Sequence, residues 1–284
     1  MSYVKVSEIL TQVDKENTSV IGFNCTNYDM ASAAVVAAEE LKKPVVLMLY
    51  LGHTVDDNLI NLSGFTAMVK ELGEKASIPV AVHLDHCSDM NYIPIAIEHG
   101  FTSVMYDGSH LPFEENLENT KKMVDLASKY NADVEGELGA IGTTADGNHL
   151  NTSRYTDPEE AALFARETGV TSLAIDIGSA HGVYKEEPKL DINRLAEINS
   201  ATDVPLVLHG GSGIPDDQLE EAFKNGINKF NFSTYYFMEQ YHAILEYCEK
   251  YGKDVPDYFP PGKYIQERLI PVAKDRLRLT LGTY

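Results

Sequence analysis

Residues 80–89, VAVHLDHCSD, place His83, Asp85 and His86 at the end of a β-branched, apolar run that begins after Pro79. Such a run reads as a buried strand. Side chains alternate along a strand, so His83 and Asp85 share one face, while His86 points to the other or opens the following loop. A carboxylate beside an imidazole at a strand's C-terminal end suits proton transfer next to a metal ligand. The same residues also fit a hydrogen-bonded polar pair in a core. Two further strand-like runs, 172–178 and 205–208, lead into histidine and glycine: GSAHG with His181 and LHGGSG with His209. Histidines at three strand ends separated by helix-length segments meet only in a fold that gathers strand ends on one rim, a parallel barrel.

The elements needed to build that rim recur along the chain. Strand-like runs fall at 20–25, 44–50, 79–86, 103–108, 133–138, 171–178, 205–209 and 229–233. Amphipathic stretches lie between them at 30–41, 60–75, 92–98, 113–130, 158–167, 192–199 and 216–225. Asp157-Pro158-Glu159-Glu160 is a helix start, with proline at the first helical position and acids in the first turn. This alternation predicts an α/β fold closed as a (β/α)8 TIM barrel. An open doubly wound sheet also alternates, but no G-x-G-x-x-G follows the first strand, and chemistry-bearing residues end many strands instead of one switch point. Residues 235–250 read as helix, 254–262 as a loop and 264–279 as a last helix, so 1–284 reads as one barrel domain with a C-terminal helical extension.

On such a barrel the active rim is formed by strand C-terminal ends and the loops after them. Asn24, Asp107, Ser109, His110, Glu135 and Glu137 fall there, as do Lys185, Ser212, Asn231 and Thr234. His53, His99, His149 and His242 fall elsewhere and read as surface or capping groups.

Composition narrows the function classes. With 284 residues the chain matches the ~250 of a barrel. No run approaches the roughly 18 apolar residues of a membrane span, and the N-terminus lacks a signal-peptide pattern, so a cytoplasmic location is expected. The cysteines, Cys25, Cys87 and Cys248, are odd in number and never spaced C-x-x-C, against a disulfide framework or a cysteine metal site. The formal charge of -20 disfavours nucleic acid and anionic membranes as partners. An anionic substrate would then need local positive potential from helix N-termini, a metal or single lysines.

The motifs HLDH at 83–86, MYDGSH at 105–110, VEGELG at 134–139, GSAHGVYK at 178–185, LVLHGGSGIP at 206–215 and NFST at 231–234 together resemble the class II, zinc-dependent ketose-bisphosphate aldolases, the fructose- and tagatose-bisphosphate group. The resemblance runs from about Asn24 to Thr234. It implies that His86, His181 and His209 hold a catalytic Zn2+, with Glu137 and Asp107 serving an alternative or second metal position. It implies that Asp85 takes and returns the C4 hydroxyl proton and that Asn231 hydrogen-bonds the enediolate. The phosphate of dihydroxyacetone phosphate would rest on Gly182, Lys185, Gly210, Gly211, Ser212, Ser233 and Thr234, with Asn24 also in the substrate site. A monovalent cation, Na+ or K+, often binds near these loops in the family. Family members are also usually dimers or larger, so a homo-oligomer, dimer or tetramer, is expected.

Three departures from the family pattern stand out, one at the C3 proton and two at the far end of the substrate. The loop glutamate that moves the C3 proton falls on Ala145, with Asp146 and His149 nearby. The D-P-R-K run that reaches the distal phosphate aligns with Pro260-Pro261-Gly262-Lys263, and the serine ending strand two is replaced by Tyr50. Loss of an arginine fork and gain of a phenol should weaken binding of a second phosphate. The expectation is a zinc-dependent aldolase that reversibly cleaves a ketose phosphate, either fructose- or tagatose-bisphosphate-like or a ketose 1-phosphate with a modified tail, into dihydroxyacetone phosphate and an aldehyde. The alternative is a metal-bearing sugar-phosphate binding or accessory subunit with little turnover. Zinc-barrel hydrolases or epimerases fit less well, because no H-x-H follows the first strand.

Overall fold

The structure is a computed structural model that describes residues 2–16, 18–50, 52, 60–139, 141–144, 155–252 and 260–280. His53, Ala145, Asp146 and His149 lie outside the described residues. The strands are β1 (Val20–Asn24), β2 (Val45–Tyr50), β3 (Val80–Cys87), β4 (Ser103–Tyr106), β5 (Asp133–Leu138), β6 (Ser172–Ile175), β7 (Leu206–Leu208) and β8 (Ile227–Phe232). Each pairs in parallel with the next, and β1 closes on β8 in the register Val20↔Lys229 to Phe23↔Phe232. The expected (β/α)8 barrel is therefore the observed one. Buried on both faces, the strands are largely apolar runs interrupted by buried polar side chains such as His83, Asp85, Glu135 and Lys229.

Helices α1 (Val6–Lys15), α2 (Tyr28–Leu41), α3 (Leu62–Lys75), α4 (Tyr92–Glu98) and α5 (Phe113–Ser128) surround the first half of the barrel. They are followed by α6 (Pro158–Thr168), α7 (Ile192–Ala201), α8 (Asp216–Lys224), α9 (Thr234–Tyr251) and α10 (Pro260–Leu279). Local signals set several boundaries. Asp157 accepts from Glu159 N and Glu160 N at the start of α6, as its sequence predicts, and Gly169 ends that helix at φ 70°. Residues 260–262, expected in a loop, instead open α10, where two prolines supply a preset φ in the first turn. α10 lies along α2 and α9.

Helix α1 was not anticipated. Val6, Ile9, Leu10 and Val13 form an i, i+3, i+4, i+7 stripe that packs on Val20, Val46, Met48 and Ala81 inside the barrel near the strand starts. Each fully buried aliphatic there contributes about 1.5–3 kcal/mol of transfer free energy. Lys5 fixes the helix start through an ion pair with Asp133, 2.9 Å long. The opposite end of the barrel is left for the rim.

On α9, Tyr236 and Tyr247 are buried, while Tyr235 and Tyr241 are exposed with Met238, Ile244 and Leu245. No helix among the described residues is long and apolar enough to cross a membrane. The cysteines are free, with Cys25 and Cys87 buried and Cys248 exposed.

Candidate active site

Strand β3 delivers two neighbouring residues to one rim by breaking its own alternation. Its register with β4 shifts between Leu84 and Cys87, and His86 sits at φ 46°, a left-handed conformation uncommon outside glycine. Instead of turning outward, the His86 ring reaches the barrel mouth beside Asp85, with His86 Nε2 3.9 Å from Asp85 Oδ1. Each Asp85 oxygen accepts one amide, from Asn24 Nδ2 at 2.9 Å and Asn231 Nδ2 at 3.0 Å. Burial works to raise the Asp85 pKa, but His86, His209, Lys229 and His83 together bring it down to about 2. Asp85 is thus an ionised, oriented acceptor.

The histidines expected from three separate strand ends converge. His209 Nδ1 meets His86 Nε2 at 2.8 Å, and the His86 ring centroid lies 4.8 Å from that of His181. Backbone bonds hold His181 in place, with His181 N donating to Gly142 O and Thr144 N donating to His181 O, both at 2.9 Å. His86 Nδ1 also contacts Asp107 Oδ2 at 3.2 Å and lies 3.9 Å from Glu137 Oε2. Burial opposes charge on His86, yet Asp85, Asp107 and Glu137 raise its pKa to about 9. Burial and then the neighbouring imidazoles push His181 down to about 3.

Among the described residues, two donor groups share His86: His86, His181 and His209, and His86, Asp107 and Glu137, with the ligand atoms of each group within 4.8 Å of one another. Among the described residues, Glu137 Oε2 is a buried acceptor with no hydrogen-bond partner. Burial, then Asp107, pushes the Glu137 pKa well above the usual carboxylate value. Three imidazoles beside a buried carboxylate oxygen that has no partner among the described residues fit a divalent cation of the zinc type.

The far wall is made of glycine loops. Gly210 has φ 68°, and a Cβ there would collide with the Ala180 backbone; a Cβ on Gly211 would enter the Phe230 ring. The HGG run is therefore required by close approach, not only by turn formation. The Tyr184 hydroxyl accepts from Ala180 N at 2.7 Å and donates to Gly210 O at 3.0 Å. Ser212 Oγ accepts Tyr235 N at 3.2 Å, in the first turn of α9, which starts at Thr234. The N-terminal end of α9 thus faces the pocket, a suitable place for an anion.

These groups enclose a cavity of about 380 Å3. Its lining contains Asn24, Asp85, His86, Asp107, His181, Gly182, His209, Gly210, Gly211, Ser212, Asn231, Ser233 and Thr234, all anticipated in the sequence. Lys185 is exposed and outside this lining, beside a half-buried Tyr184. Tyr50 lines the cavity and packs edge-on against His86, with ring centroids 6.0 Å apart. Lys263 is exposed on α10 and faces Glu267 at 3.8 Å. His99 pairs with Ser63 and His242 with Glu239 at the surface, as expected.

Tyr184 and Lys229 escaped the sequence reading. Lys229 had a visible signal, a lysine two residues before Asn231 and so on the same face of an otherwise apolar strand. Tyr184 had none, because either side of a loop residue can face inward.

The family described as fructose-bisphosphate aldolase class II matches residues 4–280. The chain belongs to that family. This aldolase, a carbon–carbon lyase, is 38% identical over 278 residues to the 6-phospho-5-dehydro-2-deoxy-D-gluconate aldolase of Shouchella clausii, covering 96% of this chain and 91% of the relative. It is 37% identical over 284 residues to the sulfofructosephosphate aldolase of Alkalicoccus urumqiensis, covering 98% and 96%. Among solved structures, the YdjI aldolase of Escherichia coli K12 superposes with a TM-score of 0.85 at 31% identity, covering 98% of this chain and 97% of that one. The family is typically zinc-dependent, in keeping with the donor set of this aldolase.

Proposed function

We propose that this aldolase reversibly cleaves a ketose 1-phosphate with a neutral or altered tail into dihydroxyacetone phosphate and an aldehyde, with Zn2+ as its metal. The observation that carries this reading is Asp85, held ionised between two amides and set beside the three-histidine cluster on the wall of a cavity of about 380 Å3. His86, His181 and His209 would hold the zinc, with Asp107 and Glu137 as the alternative set, and the bound ion would supply Lewis acidity toward the ketone.

The protein's own groups do the rest. Asp85 accepts the C4 hydroxyl proton during cleavage and returns it during condensation. Asn231 keeps Asp85 oriented and presents its buried Oδ1, which has no partner among the described residues, to a substrate hydroxyl. Asn24 does the same from the other side. The phosphate is held by Gly182, the Gly210-Gly211-Ser212 loop, Ser233 and Thr234, through backbone N–H groups, hydroxyls and the start of α9. A monovalent cation, Na+ or K+, would add positive potential beside these loops. This fits a cavity whose described lining contains neither lysine nor arginine.

The same lining supports the choice of tail. Tyr50, Ile141 and Thr143 face the cavity where a second phosphate would need a cation. The two relatives named above act, by their names, on different phosphorylated substrates, so the tail varies among similar chains.

The decisive experiment is release of dihydroxyacetone phosphate from matched ketose 1-phosphates and 1,6-bisphosphates by the zinc-loaded protein, with and without a chelator. Chelator-sensitive cleavage with preference for monophosphates is expected. Preference for bisphosphates would overturn the tail assignment, and chelator-resistant cleavage would overturn the metal. We also propose a homo-oligomer, supported by the exposed apolar strip of α9; sedimentation as a monomer would refute it.

A further inference from the structure

Below the rim, the barrel contains an ion pair that the proposed reaction does not use. Lys229 on β8 is fully buried, and Glu135 on β5 is 1% exposed. Lys229 Nζ lies 2.9 Å from Glu135 Oε2 and 3.3 Å from Oε1, and Ser172 Oγ donates to Oε2 at 3.0 Å. Oε1 also meets His209 Nε2 at 2.9 Å. A buried ion pair of this kind is seldom kept for stability, since an apolar replacement of similar volume is often neutral or stabilising.

We propose that Lys229 and Glu135 are positioning residues for His209, fixing its imidazole as the tautomer that carries the proton on Nε2 and offers Nδ1 to the metal. This rests on the reading of His209 as a metal ligand. An ionised carboxylate can only accept, so His209 Nε2 must be the donor in the 2.9 Å bond. The lone pair then lies on Nδ1, the atom that faces His86 Nε2 at 2.8 Å. Lys229 Nζ at 2.9 Å and Ser172 Oγ at 3.0 Å both donate to Oε2, the surroundings of an ionised acceptor. Lys229 therefore keeps the acceptor charged, Glu135 sets the ring, and the ring presents its nitrogen to the cluster. Support of this kind makes a ligand more basic and its orientation fixed, and its removal typically costs 10–100-fold in metal affinity.

The first test is the histidine 15N NMR spectrum of the metal-free full chain, with His209 assigned by its loss in His209→Asn. A signal pattern of Nε2–H with bare Nδ1 is expected, and Nδ1–H would overturn the proposal without any variant of the ion pair. The second test compares Zn2+ and Co2+ dissociation constants and the visible spectrum of the Co2+ form in two double variants. Glu135→Leu/Lys229→Met replaces the pair with apolar groups and should bind metal about 10–100-fold more weakly, with an altered cobalt spectrum and an unfolding midpoint near that of the native chain. Glu135→Gln/Lys229→Met restores a neutral acceptor and should recover most of the affinity. Native affinity and spectrum in the Leu/Met variant would overturn the proposal. Failure of the unaltered protein to bind either metal would instead refute the zinc reading, and the NMR result would still decide the tautomer.

Discussion

Asp85 Oδ1 and Asn231 Nδ2 meet at 3.0 Å across the barrel mouth, although 146 residues separate them in the chain. Together with the Asn24 amide it holds the Asp85 carboxylate in one orientation at the cavity wall. Asp85→Asn should lower kcat by about 10²–10⁴-fold, the usual contribution of a general acid–base group, while zinc content stays unchanged. Metal analysis alongside steady-state kinetics checks this. A comparable loss of zinc would show that Asp85 serves the metal site instead of the proton.

The phenol of Tyr184 bridges the loop carrying His181 to the loop carrying Gly210. Tyr184→Phe removes both hydrogen bonds and leaves Ala180 N and Gly210 O to find other partners. The expected cost is about 1 kcal/mol, or ~5-fold, in affinity for inorganic phosphate as a competitive inhibitor, with a smaller effect on kcat. Unchanged phosphate inhibition would mean that the loops hold their shape without the strut.

His83 makes the barrel acid-sensitive. Its Nδ1 meets Ser103 Oγ at 2.7 Å, and the charged groups facing it are Lys229, Glu135, Asp85 and His209. Burial and then Lys229 lower its pKa to about 3, against the pull of Glu135 and Asp85. An unfolded histidine titrates near ~6.5. Between those values the unfolded chain binds a proton that the folded chain refuses, so stability declines as pH falls from about 6.5 toward 3. This group adds up to about 1.4 kcal/mol per pH unit to the slope. Urea unfolding of the native chain and His83→Gln between about pH 6 and 4 should show a shallower decline in the variant. Parallel declines would show that His83 titrates normally in the barrel.

Much of this architecture is legible before any coordinates, for identifiable reasons. Strand β5 runs over the expected residues because Asp133 and Leu138 bound a run with clear alternation. His86, His181 and His209 could be placed together because barrel closure turns sequence-distant strand ends into neighbours. Other features depend on tertiary contact. The stripe of α1 is short and has meaning only against the strand starts it covers. The left-handed turn at His86 comes from a register shift between strands, which single-strand alternation does not contain. The Tyr184 strut between two loops likewise depends on packing that no local pattern contains.

The absence of lysine and arginine from the described cavity lining separates the holding of the substrate from its capture. Fixed dipoles act over a few ångströms, whereas a chain of formal charge -20 repels a phosphorylated sugar at long range. Raising ionic strength from about 0.01 to 0.15 M shortens the Debye length from roughly 30 to 8 Å. At limiting substrate, kcat/KM should therefore rise over that interval, the reverse of the salt response of an electrostatically steered enzyme. Diffusional encounter is the step at which this acidic exterior acts as a brake, and added salt is what releases it.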